Sequence, residues 1–167
     1  GIKMLLKSIT LSNFRQFKDA KITFADGRNG RNVTLVFGDN GSGKTSLANA
    51  FIWCLYGKND FKRKELCNTH VKYSTPTNDK IEVKVVLELE HRNFIYTISR
   101  KLNYTRGYGD KVKAADSDIF EIDKYDENGN VKFFKGRNAD DEINKILPRE
   151  LYPYFFFGGE KIEQMSE

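Results

Sequence analysis

The chain has 167 residues and a formal net charge of +5, a length that suits one domain burying about two thirds of its unfolded surface. Its 39% hydrophobic and 13% aromatic content supports a packed core. The 31% charged residues and the lack of any apolar run near the ~18 residues a bilayer demands exclude a membrane-spanning helix.

The first residues, Gly1-Ile2-Lys3-Met4, carry no apolar stretch with a small-residue cleavage site, so a cytoplasmic location is expected. Gly1 to Lys3 read as an addition ahead of a native Met4. Cys54 and Cys67 lack C-x-x-C spacing, and His70 and His91 stand apart without a second ligand at metal spacing. Structural thiols in a reducing compartment, and no protein-ligated zinc, are the expectation.

In chain order, residues 4–11 alternate weakly through Leu5, Lys7, Ile9 and Leu11, which predicts a half-buried strand ending at a Ser12-Asn13 turn. A second short strand is expected at 20–24. After the polar connection 26–30, the apolar run 33–37 predicts a third strand, and helical spacing of Leu47, Ala50, Phe51, Cys54 and Leu55 predicts a helix over 44–56. Gly57 sits where a left-handed residue would end it.

Residues 58–79 are polar, contain Pro76 and hold no period, so a mobile surface insertion with at most short ordered pieces is expected. Ile81, Val83, Val85, Leu87 and Leu89 then alternate strictly with polar neighbours. That pattern predicts a strand, paired through the turn at His91-Arg92-Asn93 with a second one carrying Phe94, Tyr96 and Ile98. A further hairpin is expected from 119–125 and 131–134 around Asn128-Gly129. Asn138 can cap a helix running through Ile143, Ile146 and Leu147 to Pro148.

The chemistry concentrates at residues 38–45, GDNGSGKT, a complete G-x-x-x-x-G-K-[ST] loop set between the apolar run and the helix. Gly38, Gly41 and Gly43 let backbone N–H groups curl around phosphate, with Asn40 and Ser42 between them, and the helix start adds unpaired donors. Lys44 would reach the β- and γ-phosphates and Thr45 would ligate Mg²⁺. Ser46 is a neighbour at the same site. Asp39 is expected to face solvent, since phosphates repel a carboxylate. A glycine-rich turn matching by chance is the competing reading, and the flanking strand and helix weigh against it.

Two basic clusters permit a polyanionic partner: Lys58, Lys62, Arg63 and Lys64, and a second group of Arg100, Lys101, Arg106, Lys111 and Lys113 interleaved with Tyr104 and Tyr108. The second mixture suits DNA contacts and equally suits a solvated hairpin tip. Both readings stand at this point.

Three segments carry a resemblance: Leu11-Ser12-Asn13-Phe14-Arg15-Gln16-Phe17, the loop GDNGSGKT with a helix closing Trp53-Cys54-Leu55-Tyr56-Gly57, and Tyr154-Phe155-Phe156-Phe157-Gly158-Gly159-Glu160-Lys161-Ile162. Together they resemble the N-terminal half of an SMC/Rad50/RecF-type ATPase head, most of all the DndD ATPases of DNA phosphorothioation systems. The resemblance implies a mixed α/β (α+β) fold, an ABC-type P-loop lobe over 4–167, with a core at 4–57 and 135–167 and an antiparallel β-subdomain at about 81–134.

It further implies ATP and Mg²⁺ as cofactors, and as partners DNA, the chain's own C-terminal lobe, a second head in a homodimer, and DNA-modification or nuclease subunits, with no membrane. Arg15 matches a position near the nucleotide phosphates. Gly158 stands where related heads carry Gln or Asp, so Glu160 or Gln164 is expected to substitute, and Glu160 is the candidate for a catalytic role beside Lys44. No Walker B run, signature motif or switch His is found, and Leu87-Glu88-Leu89-Glu90 reads as a half-exposed strand instead. The chain therefore reads as part of a head that binds nucleotide weakly and turns it over negligibly by itself.

Three functions compete at this stage: a DndD-like ATPase of DNA modification or phage defence, a Rad50/SMC-like DNA repair head, and a non-hydrolysing ATP-dependent assembly switch. A small-molecule P-loop kinase would need a compact parallel sheet and a lid, whereas residues 81–134 read as antiparallel.

Overall fold

A computed structural model of the chain describes residues 3–24, 41–59, 65–150, 155–158 and 161–164; within it, residues 3, 41–45, 155–158 and 161–164 are described as backbone. The expected strand at 33–37, the loop residues Gly38, Asp39 and Asn40, the cations Lys62, Arg63 and Lys64, and Glu160 lie outside the described residues. Pairing links all the described strands into one sheet.

Strand β1 (Lys3–Phe14) is its organiser. One edge pairs antiparallel with β3 (Lys80–His91), and the other is shared by β2 (Phe17–Thr23) and β9 (Lys161–Gln164), whose own partner is β8 (Phe155–Gly158). The weak alternation of β1 has a specific cause. Register slips between Leu6 and Ser8, so Lys7 is an extra residue that reverses the parity. Met4 and Leu6 face the core before the bulge, and Ile9 and Leu11 after it. Leu5 and Lys7, expected on the same face as Ile9, are only half-buried.

From β3 the sheet grows through β4 (Phe94–Arg106), β6 (Ile119–Tyr125) and β7 (Val131–Lys135), with the short β5 (Val112–Ala114) paired to β4. All these pairs are antiparallel, as the alternating sequence predicts. Arg92 and Asn93 both have positive φ, at 50° and 67°, the conformation a two-residue reversal needs to match strand twist. Ile81, Val83, Val85, Leu87 and Leu89 are all buried.

Helix α1 (Gly41–Tyr56) starts three residues earlier than periodicity suggests and lies against β1, β3 and β4. Leu47, Ala50, Phe51, Cys54 and Leu55 form its buried face. The Cys54 thiol sits within 3.4 Å of the Val85 carbonyl and 3.5 Å of that of Ile98. Helix α3 (Arg137–Ile146) follows Gly136, whose φ of 58° serves the reversal from β7; Asn138, the expected cap, lies inside the first turn. Its buried Ala139 and Ile143 join the same core as Phe120, Ile122 and α1.

The expected mobile insertion is in part docked. Leu66, Cys67 and Asn68 are buried, and Asn68 caps a short helix α2 (Thr69–Ser74) by accepting from the Val71 amide at 3.0 Å. The reason is packing at non-periodic positions. Cys67 bridges to Phe14 at the end of β1, and the Leu66 amide donates to the Tyr104 hydroxyl at 3.1 Å.

Candidate nucleotide site

Residues 41–45 form the first turn of α1, so the second half of the glycine loop is already helical and its backbone donors end the helix axis. No acidic residue stands in that turn. The donor set therefore fits an anion, since nothing there opposes the positive helix end.

The β1–β2 reversal meets α1 one residue beyond this turn, at Ser46. Phe14 and Phe17 pair across Arg15 and Gln16, with Arg15 at φ 53°. The Ser46 hydroxyl, in a residue only 8% exposed, donates to Oε1 of Gln16 in a short hydrogen bond. Sequence reasoning puts Ser46 at the nucleotide but assigns no role to Gln16. Its only signal is that it follows Arg15 in the turn.

Arg15 is held by its surroundings: its amide donates to the Leu66 carbonyl at 2.7 Å, its Nη1 to that of Glu65 at 3.3 Å, and its carbonyl accepts from Asn68 Nδ2 at 2.6 Å. That fixes its backbone one residue from the contact with α1. Gly158 closes β8 opposite Lys161 of β9, in the hairpin that β9 joins to β1.

The C-terminal end of α1 has no basic residue of its own. Arg100 of β4 supplies one: Nε donates to the Cys54 carbonyl at 3.0 Å and Nη2 reaches that of Leu55 at 3.5 Å. Arg149 Nη2 donates to the Tyr56 carbonyl at 3.2 Å. These carbonyls are the acceptors a helix end leaves open, and cations suit its negative pole. Asp118 pairs with Arg100 at 2.8 Å, and the Phe120 ring stacks 4.0 Å from the guanidinium.

The expectation that Arg100 and Arg106 contact DNA is corrected by this burial. Arg100 is 5% exposed and Arg106 9%. Arg106 donates to the carbonyls of Lys72 at 2.8 Å and Gly107 at 2.9 Å, closing α2 onto β4. Parity could have revealed both, because they share the core-facing even positions of Tyr96, Ile98 and Tyr104. Lys111 and Lys113 are exposed and Lys101 is half-buried near Glu82. A polar cleft among Leu55, Tyr56, Asp140, Asn144, Arg149 and Glu150 lies at the far end of α1 from the glycine loop and is not the phosphate site.

Comparison with known proteins decides the family. A family model described as an AAA domain matches residues 8–167, almost the whole chain. The chain belongs to the AAA-domain family. Its P-loop ATPase fold, mixed α/β with an antiparallel sheet, agrees with the N-terminal lobe of an ABC-type ATPase.

This AAA domain is 34% identical over 95 residues to the DNA replication and repair protein RecF of Clostridium kluyveri, covering 51% of this chain and 25% of that protein. It is 30% identical over 107 residues to the DNA double-strand break repair Rad50 ATPase of Methanocaldococcus jannaschii, covering 64% and 9%. The Rad50 ATPase of Methanococcus maripaludis matches at 25% over 175 residues, covering 89% and 16%. The AAA domain thus spans a quarter or less of these relatives. Among the described residues no helix is long and apolar enough to cross a membrane.

Proposed function

We propose that this chain is the ATP-binding N-terminal lobe of an SMC/Rad50/RecF-type ATPase head, which couples ATP-driven head engagement and hydrolysis to DNA processing in the cytoplasm. The observation that carries the reading is the complete phosphate loop running into α1, whose first turn bears no carboxylate, in a chain of this family. Domain limits follow: a P-loop core of 4–57 and 135–167, and a β-subdomain of about 81–134.

In this reading Gly38, Asn40, Gly41, Ser42 and Gly43 present backbone donors to the phosphates, and Lys44 neutralises charge on the β- and γ-phosphates. Thr45 ligates Mg²⁺, which lowers the cost of gathering phosphate charge in one place. Arg15 approaches from the β1–β2 turn, and Ser46 supports the first turn of α1. The chain's own C-terminal lobe, a second head, DNA, and modification or nuclease subunits are the partners. Within the 100–113 cluster, Lys101, Lys111 and Lys113 are the cations available for DNA backbone contacts. The aromatic run at 154–157 favours a DndD-like member, acting in phosphorothioation or phage defence, over a repair head.

A second reading, an assembly switch that holds ATP without hydrolysing it, is favoured by Gly158, which has no side chain to orient an attacking water; Glu160 is the nearby residue that could replace it. Phosphate release by the full-length natural protein, with and without duplex DNA and with a Lys44→Ala control, separates the two. DNA-stimulated release that vanishes in the control supports the ATPase. Retention of unhydrolysed Mg-ATP supports the switch.

A further inference from the structure

We propose that Gln16 is a positioning residue for the phosphate site: its side-chain carbonyl holds the Ser46 hydroxyl and so fixes the first turn of α1 against a turn that residues 65–68 lock from behind. The inference rests on the reading of residues 38–45 as a nucleotide site.

Gln16 as a residue is exposed, and a long polar side chain on a turn ordinarily keeps its rotamer freedom. Here it is committed to a nearly buried hydroxyl on another element. Ser46 directly follows Thr45, the residue assigned to Mg²⁺, so a shift of Ser46 carries the ligating residue with it.

Such a contact can position something only if its own base is rigid. The Arg15 amide and carbonyl are both bound to the 65–68 segment, at 2.7 Å to Leu66 and 2.6 Å to Asn68, and the Asn68 amide donates to the Asn13 carbonyl at 2.8 Å. The segment is itself tied to the sheet, through Tyr104 of β4 and the bridge from Cys67 to Phe14. Its second anchor is Lys72 of α2, which pairs with Glu65 at 3.1 Å. A chain of direct bonds therefore runs from the sheet through residues 65–68 and the Arg15–Gln16 turn to α1. Hydrogen bonds to phosphate weaken as donor distance and angle depart from their narrow optimum, so the placement of the turn matters to binding.

The test is a double-mutant cycle read by Mg-ATP affinity in the intact protein, with thermal unfolding in the absence of nucleotide as a control. Gln16→Ala is expected to weaken Mg-ATP binding about tenfold, with little change in the unfolding temperature. In a Ser46→Ala background the Gln16→Ala change should have no further effect, because Gln16 acts through that hydroxyl. Binding within about twofold of wild type for Gln16→Ala, or an equal loss in both backgrounds, overturns the inference while leaving the nucleotide site intact. Failure of the wild type to bind Mg-ATP at all is a separate result that overturns the nucleotide site and this inference together.

Discussion

Arg100 donates from Nε to the backbone carbonyl of Cys54 at 3.0 Å, so a residue of β4 closes the C-terminal end of α1. The sheet and α1 are thereby joined by a buried charge. Removing that charge leaves the carbonyls of Cys54 and Leu55 and the carboxylate of Asp118 without their donor. Arg100→Met should destabilise the protein by about 1–3 kcal/mol, the range for leaving buried acceptors without a partner. Denaturant unfolding measures it, and a loss under about 1 kcal/mol would show that the cap is dispensable.

Gly57 stands beside the same guanidinium. Its φ is 67°, and a Cβ built there would lie 3.1 Å from Arg100 Nη1. Gly57→Ala therefore combines left-handed strain of about 1–2 kcal/mol with displacement of the cap. Unfolding free energy should fall by at least that strain. Wild-type stability in the variant would mean that the helix end rearranges without cost.

High pH should weaken the fold through the same region. Burial pushes the Cys54 thiol from 9.0 up to about 12 despite the opposing Arg100 charge, and burial also raises the Tyr56 hydroxyl above its ordinary value. Both groups lose protons first in the unfolded chain. Above about pH 9 the unfolded state binds fewer protons than the folded one, so stability present at neutral pH is lost as pH rises towards the folded values. Denaturant midpoints at about pH 7.5 and about pH 10 should show the fall, and the native thiol should resist alkylation. Rapid native labelling of Cys54 would contradict the burial argument.

Much of this fold is legible in the sequence, and the failures share a cause. Strict alternation at Ile81 to Leu89 and helical spacing from Leu47 to Leu55 reveal β3 and α1 because each buries one continuous face. The bulge at Lys7 breaks that continuity, so β1 presents two half-patterns of opposite parity. Residues 65–68 show no period because they are held by hydrogen bonds to one turn rather than by a repeating face. The loop motif announces itself through chemistry. The Gln16–Ser46 bond does not, because it joins positions 30 residues apart that only the sheet brings together.

Lys101, Lys111 and Lys113 are the cations on which the DNA assignment rests. Lys111→Glu with Lys113→Glu should weaken duplex binding by the full-length protein about equally across sequences and lower the salt slope by roughly 1 for each phosphate no longer neutralised. Fluorescence anisotropy over a salt series measures both. An unchanged slope would remove this hairpin from the DNA interface.

The most direct test of the central claim is an amide NMR titration of the intact chain with Mg-ATP, which registers weak binding as readily as strong. Saturable shifts concentrated at residues 38–46 and at Arg15 and Gln16, abolished by Lys44→Ala, are the predicted result. An absence of saturable shifts, or shifts that persist unchanged in Lys44→Ala, would contradict the assignment of this lobe as a nucleotide-binding module.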